Sequence, residues 1–474
     1  MTDAVVVGSG PNGLAAAVTL ARAGVAVTVL EAADRIGGGT RSGELTLPGL
    51  LHDECSAFHP TGAGSPFLRS LPLAEHGLRW RWPELDLAHP LDGGRAAVLR
   101  RSIDATAAGL GPDGTSWQRL FGPLAEHFDA LADEVFQPVP HLPRHPLRLA
   151  GFGLHAMLPA TVLARRWRTD EARALFGGVA AHQLQPLTHP FSASVGLMLT
   201  AAGHAYGWPV AEGGSQAITG ALAGYLSTLG GVVVTGSPVT ALPDADIVML
   251  DVAPAAAAAI VGDRLPGRVA RAYTRYRHGP GAFKLDLAVQ GGIPWTNEAC
   301  RRAGTVHLGG TIEEMTRTEA ELARGRLPDR PFVLVGQQYL ADPARSAGDL
   351  HPVWAYAHVP AGYDGDATEP ILAQLERFAP GVRGRIRAQR ARSATDLQAY
   401  NANYVGGDIA TGANDLRQLL LRPRLTAHPY RTGVPGVYLC SAATPPGAGV
   451  HGMCGYHAAS VALAALGRRP PVRP

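Results

Sequence analysis

The chain opens on an apolar run at Ala4–Val7. It is followed by Pro11–Ala23, with apolar residues at helical spacing and a closing Gly24, and by a second run at Val25–Leu30. Strand, helix and strand with this punctuation make a βαβ unit. Farther on, Ala217–Leu229 is predicted as a helix closed by Gly230 and Gly231. Val232–Val234 and Ile247–Leu250 are predicted as strands, with Val239 beyond a Ser-Pro turn. From Phe283 to Val289 the residues alternate. Phe283, Leu285 and Leu287 fall on one face and Lys284, Asp286 and Ala288 on the other, as a strand requires. The end repeats the opening: a strand at Val437–Cys440, a loop at Ser441–His451 and an Ala-rich helix from Gly452 to Leu466. Residues 76–204 read as irregular and helix-leaning, with Pro-rich breaks at 138–146. No tandem repeat or low-complexity linker divides these segments, so interleaved domains are expected.

Glycine supplies 58 of 474 residues, and at that frequency roughly 0.9 matches to G-x-G-x-x-G arise by chance. Three occur: Gly8–Gly13, Gly109–Gly114 and Gly447–Gly452. The second contains Pro-Asp-Gly with no strand before it, and reads as a turn. The first has strand, helix, second strand and the closing acid Glu31, which together mark a dinucleotide-binding unit. Gly8, Gly10 and Gly13, with Pro11 and Asn12 between them, are candidate cofactor residues. After Glu31 come Arg35, Gly37, Gly38, Gly39, Thr40 and Arg41. Paired glycines let backbone approach a phosphate or a ring, and the arginines can serve the pyrophosphate.

Composition changes this picture little, but it removes some classes. A charge sum of +3, with 42 basic and 39 acidic residues, leaves no footprint for nucleic acid. The 46% hydrophobic content argues against disorder. Cys55, Cys300, Cys440 and Cys454 form no Cys-x-x-Cys pair, so neither a disulfide framework nor a metal site is expected. A reducing, cytoplasmic setting follows, and the N-terminus carries no signal-peptide pattern. No run of about 18 apolar residues is free of charge, Pro or Gly. Leu149–Ala164, framed by Arg148, Arg165 and Arg166, comes nearest. It reads either as a core helix or as a substrate entrance in peripheral contact with a membrane. Of the 42 basic residues all but one are arginine; the exception is Lys284.

Together these segments resemble the FAD-dependent oxidoreductases related to phytoene dehydrogenase, within the flavin amine oxidase superfamily. The carriers are Val5–Gly13 with Glu31, Arg35–Arg41, Trp208–Ser215, Gly279–Trp295, Asn403–Asp408 and Tyr438–His457. The subgroup named after pyridine nucleotide-disulfide oxidoreductase domain protein two is the nearest match, through residues 279–284, 306–311 and 330–334. The resemblance implies an α/β fold: a Rossmann-like FAD domain interleaved with an α+β substrate domain of antiparallel sheet and helices. Residues 1–75, 205–278 and 425–474 would form the first, and 76–204 with 279–424 the second.

It also implies roles. Gly8 permits the turn, Gly10 admits the pyrophosphate, Gly13 packs helix on strand, and Glu31 takes the ribose hydroxyls. Backbone at Val239 would meet the adenine. Gly449, Val450 and His451, before the last helix, would face the flavin pyrimidine edge, where a helix N-terminus favours an anion. Lys284 matches a lysine that holds water near flavin N5; its other reading is a strand ion pair with Asp286. His451 reads either as an acid–base group or as a packed histidine. His59, His204 and His307 fall in segments expected to line the cavity. Ser441 stands where the family has glycine, Met or Pro is usual near His451, and the stretch between Val239 and Val248 is short, which would expose the cofactor edge. Asn403–Asp408 is a family mark without an evident mechanism.

The expected activity is removal of hydrogen from a largely apolar small molecule by hydride transfer to non-covalent FAD. The proton goes to water held by Lys284 or to a histidine, and oxygen or a quinone is the reoxidant. Amine or amino-acid oxidation, redox-neutral isomerisation or double-bond reduction, and non-catalytic flavin binding are the alternatives.

Overall fold

The computed structural model describes residues 2–138 and 141–468. Residues 139 and 140, inside the expected Pro-rich break, lie outside the described residues. Five short strands form a parallel sheet in the order Val437–Leu439, Ile247–Leu250, Asp3–Val7, Ala26–Leu30 and Val232–Val234. Parallel neighbours need crossovers, and the helix Pro11–Arg22 supplies the first. Its Leu14, Val18 and Leu20 are fully buried. The last helix, Met453–Ala465, packs directly against it. A Cβ on Gly455 would come within 1.8 Å of the Asn12 carbonyl oxygen, so that crossing requires glycine.

A seven-stranded sheet forms the second layer. Its order is Ile386–Arg392, Gly281–Gln290, Leu350–Val359, Val333–Gly336, Ala303–Leu308, Leu85–Pro90 and Ala96–Leu99. All its pairs are antiparallel except Ala303–Leu308 with Leu85–Pro90. Leu85–Pro90 and Ala96–Leu99 are strands inside the stretch read as helix-leaning. Leu85–Pro90 forms a local hairpin with Ala96–Leu99 across Asp92–Gly94, and its other neighbour, Ala303–Leu308, comes from far along the chain. The helices Ile103–Gly109, Gly114–Glu126, Phe128–Val135, Pro146–Ala156, Asp170–Ala180 and Ala193–Tyr206 make up much of the rest of that stretch.

The alternation at Phe283–Val289 has the expected effect. Phe283, Leu285 and Leu287 join Val353, Ala355 and Val335 in a core closed by Ile371, Leu375 and Phe378. The opposite face carries Lys284, Tyr356, Leu334 and His307 in one cross-strand row, and Asp286, Trp354 and Thr305 in the next. Gly109–Gly114 joins two helices with no strand leading into it. Among the described residues no single helix is long and apolar enough to cross a membrane. The helices Pro146–Ala156 and Ala160–Arg166 are bent by 97° at their break.

Candidate active site

A cavity of about 720 Å³ is lined by loops at the ends of the parallel strands and by the polar-bearing face of the seven-stranded sheet. The ends of parallel strands are where such folds hold ligands. Gly8, Gly10, Pro11 and Asn12 line it. Gly8 has φ +100°, and Gly13 sits behind the turn, where a Cβ would come within 2.1 Å of the Gly8 carbonyl. That contact is the close helix–strand packing expected of the third glycine. Gly38 and Gly39 come over the first turn, a Cβ on Gly38 reaching 3.1 Å from the Gly10 Cα. Thr40 Oγ1 donates to the Gly37 carbonyl at 2.8 Å and holds this second loop.

Glu31 is buried at the cavity wall. Its Oε2 accepts from the Ser9 N–H at 2.9 Å, and its Oε1 from Ala33 N–H at 2.9 Å and Arg41 at 3.2 Å. Arg41 also lines the cavity and lies over the Tyr400 ring. Arg35 does not line it: this half-exposed guanidinium pairs with Glu54 at 2.7 Å. Val239 does, beside the apolar Val252, Ala256 and Ile260. Gly449 and Val450 line it too. His451 turns away: its buried ring accepts from the Met453 N–H at 3.1 Å and lies 5.1 Å from the Phe136 ring. Burial pushes its pKa down to about 4.

Lys284 lies on the cavity-facing side of its strand, next to Tyr356, but is not among the cavity-lining residues. Its ammonium is bonded to Asp286, and both are buried. Asp286 also faces His52 and Arg392, each at 3.5 Å. Burial acts to raise this carboxyl; Lys284, His52 and Arg392 outweigh it and hold it at about 2. None of the three histidines expected at the cavity lines it. His59 bonds Ser215 at 2.8 Å, His204 accepts from Trp117 at 2.9 Å, and His307 stands one residue behind the wall.

Other residues take those places. His182 and Trp208 line the cavity with Phe58, Trp354 and Tyr356, giving it an aromatic wall. Nothing in the sequence around His182 distinguished it. Asp251, at the end of the strand Ile247–Leu250, was legible in principle from that position. It accepts from the Gly13 N–H at 2.9 Å, and burial, with Glu31 nearby, pushes it up to about 7. Asn403 acquires a mechanical role: it accepts from the Ala253 N–H at 2.7 Å and donates to the Asp251 carbonyl at 3.0 Å. It thus ties the loop after Tyr400 to the end of that strand.

Asn12 Oδ1, Thr305 Oγ1, Thr411 Oγ1 and Ser441 Oγ are buried without hydrogen-bond partners, and all four residues line this cavity. Buried polar atoms need partners, so the arrangement fits a polar ligand with apolar ring surface. A dinucleotide carrying a flavin is such a ligand: glycine turn, Glu31, second glycine loop and the Val239 patch lie along one cavity.

Comparison with known proteins agrees at the level of fold. Residues 6–71 match the NAD(P)-binding Rossmann-like domain family. The pyridine nucleotide-disulfide oxidoreductase domain-containing protein 2 of Mus musculus is 25% identical over 552 aligned positions, covering 97% of this chain and 93% of that protein. An oxidoreductase from Methanosarcina mazei shares the fold with a TM-score of 0.63 at 16% identity, over 98% of this chain and 100% of the other. Putrescine oxidase bound to putrescine does so with a TM-score of 0.62 at 19% identity, over 98% and 99%. The mixed α/β class, with a Rossmann-like unit and a multistranded sheet, is the one expected for an FAD-dependent oxidoreductase.

Proposed function

We propose that the chain is an FAD-dependent oxidoreductase that dehydrogenates a largely apolar small molecule. The carrying observation is the single cavity that runs from the Gly8–Gly13 turn and Glu31 to a wall of Phe58, Trp208, Trp354 and Tyr356. Bound FAD supplies the two-electron acceptor. The glycine turn admits its pyrophosphate, Glu31 orients the ribose, Val239 and its neighbours take the adenine, and the aromatic wall excludes water from the reacting carbon. Gly109–Gly114 joins helices and Gly447–Gly452 borders the same cavity, so neither offers a second dinucleotide unit. Oxygen or a quinone is therefore the proposed reoxidant. The test is anaerobic: the purified yellow protein, mixed with a panel of apolar metabolites, should bleach with one class. A protein that binds no FAD refutes the reading.

Lys284 keeps its proposed place as holder of a water at the cofactor, through the face it shares with Tyr356. If it does this, Lys284→Met slows flavin reduction or reoxidation by at least about tenfold. Parental rates in both half-reactions leave only the ion pair with Asp286. Amine oxidation is favoured by one observation, the aromatic wall that an amine substrate needs. Bleaching by amines and not by uncharged molecules would select it.

A surface proposal accompanies these. Leu147, Leu154 and Met157 are 88%, 66% and 48% exposed on and just after the helix Pro146–Ala156. Arg148, Arg165 and Arg166 frame them. Exposed apolar side chains ringed by arginine match an anionic bilayer. Co-flotation with phosphatidylserine vesicles at low salt is expected, and failure to float refutes it.

A further inference from the structure

His182 occupies the short turn Ala181–Gln183 after the helix Asp170–Ala180 and lines the cavity beside Trp208. Its Nε2 lies 3.0 Å from Nε2 of His307 on the strand Ala303–Leu308. Two neutral imidazoles at that distance share one proton, so one nitrogen donates and the other accepts.

A third histidine lies beside the pair. His89 Nε2 lies 2.8 Å from the Gly310 carbonyl oxygen, which only accepts, so His89 carries its proton on Nε2. Its Nδ1 is then a lone pair, buried and without a partner, as is Nδ1 of His307. Both nitrogens crowd one point: a Cβ on Gly178 would stand 2.6 Å from His89 Nδ1 and 2.9 Å from His307 Nδ1. Neither Nδ1 has a hydrogen-bond partner among the described residues, so the proton between the two Nε2 atoms can sit on either ring. In both arrangements His182 Nδ1 is left for the cavity, as acceptor in one and donor in the other. The other polar groups about the cluster are Glu314, which acts on His89, and His358 and Glu319, bonded to each other at 2.9 Å. Burial, with the neighbouring His358, pushes His182 down to about 3, and burial with His182, His89 and His358 lowers His307 well below its usual value.

Among the described residues the wall around His182 carries no carboxylate. The acids that line the cavity, Glu31 and Asp251, lie at the glycine turn. A substrate cation would find no counter-charge here, whereas a hydroxyl, which both donates and accepts, would find the His182 Nδ1 set in aromatic surface. We propose that His182, held in place by His307, anchors the hydroxyl of an otherwise apolar alcohol. The inference rests on the oxidoreductase reading above and names its substrate class. His182 binds the hydroxyl as a neutral ring, and His307 positions it.

Binding tests this without turnover, because Trp208 and Trp354 in the wall report occupancy by fluorescence. The probes are 4-phenylbutan-1-ol, butylbenzene and 4-phenylbutylamine at pH 7. The parental protein should bind the alcohol at least about fivefold more tightly than the hydrocarbon, the range for one hydrogen bond. The amine should gain nothing over the hydrocarbon. His182→Phe should erase the alcohol preference while keeping hydrocarbon and FAD affinity, and His307→Phe should weaken the preference. The preference should be flat from pH 5 to pH 9, because His182 stays neutral there. Equal binding of alcohol and hydrocarbon by the parental protein, tighter binding of the amine, or a preference retained in His182→Phe overturns the proposal. A parental protein that binds FAD but shows no alcohol preference fails the anchor alone; a parental protein without FAD affinity fails the oxidoreductase reading.

Discussion

Lys284→Met tests the buried charge cluster directly. Lys284 and Asp286 are 3% and 0% exposed, so water screens neither. Asp286 sits at about 2 against an ordinary 3.8, a gap worth roughly 2–3 kcal/mol. Because the folded pKa lies below the unfolded one, this stabilisation is present above pH 3.8 and is lost as pH falls through 2. Removing the lysine leaves a buried carboxylate facing only His52 and Arg392. Breaking a buried pair costs about 3–5 kcal/mol when nothing replaces the partner. With Arg392 still 3.5 Å away, a loss of about 2–4 kcal/mol is expected. Thermal melting followed by tryptophan fluorescence should show Tm lower by about 2–8 °C at pH 7. The deficit should narrow as the pH falls toward the variant's raised carboxyl pKa, where Asp286 takes up a proton. Adding Asp286→Leu should restore at least half of the loss, since no charge is then left alone. A single variant that melts with the parent, or a double variant no better than the single, refutes the argument.

Asp251→Asn should stabilise the protein as pH rises. Asp251 titrates at about 7 when folded and 3.8 when unfolded, so the parent pays a growing penalty from pH 4 to pH 7; melts at pH 8 should favour the variant by about 2–4 kcal/mol, with no gain at pH 4. Glu31→Ala should weaken FAD binding by about 1–3 kcal/mol, measured by flavin fluorescence titration, and unchanged affinity would move the ribose contact elsewhere. Gly13→Ala, which drives a Cβ to 2.1 Å from the Gly8 carbonyl, should abolish FAD binding or folding, whereas Gly220→Ala, with nothing within 4 Å and no positive φ, should leave FAD affinity unchanged. Acid precipitation should release the flavin into the supernatant; colour retained in the pellet would mean a covalent link.

The glycine-turn end of the cavity was legible because its residues are contiguous. A strand, a glycine turn and a helix N-terminus are neighbours in sequence, and the steric demand on Gly13 arises within one βαβ unit. Glu31, Gly38, Gly39 and Val239 follow at loop positions that the same unit brings back to the turn. Alternation at Phe283–Val289 likewise determined which face of that strand would be polar. It could not say how Lys284 spends its ammonium, because His52 and Arg392, the other partners of Asp286, arrive from two strands distant in sequence. The choice between the two readings of His451 was out of reach of the sequence for a related reason. Its distance from the last helix in sequence is known, but the ring's direction follows from packing on Phe136.

The aromatic end of the cavity depended on cross-strand register, in one pair between strands more than two hundred residues apart. Pairing Leu85–Pro90 with Ala303–Leu308, and Leu334 with Tyr356, aligns Thr305, Trp354 and Tyr356 on one face. Gly178 then lets His89 and His307 reach the helix that presents His182. Hydrophobic period and glycine sterics are local properties and can be read along the chain. The contact of His182 with His307, the pushed-up carboxyl of Asp251 and the burial of the Lys284 pair belong to tertiary contacts, because burial exists only where separate segments exclude water together.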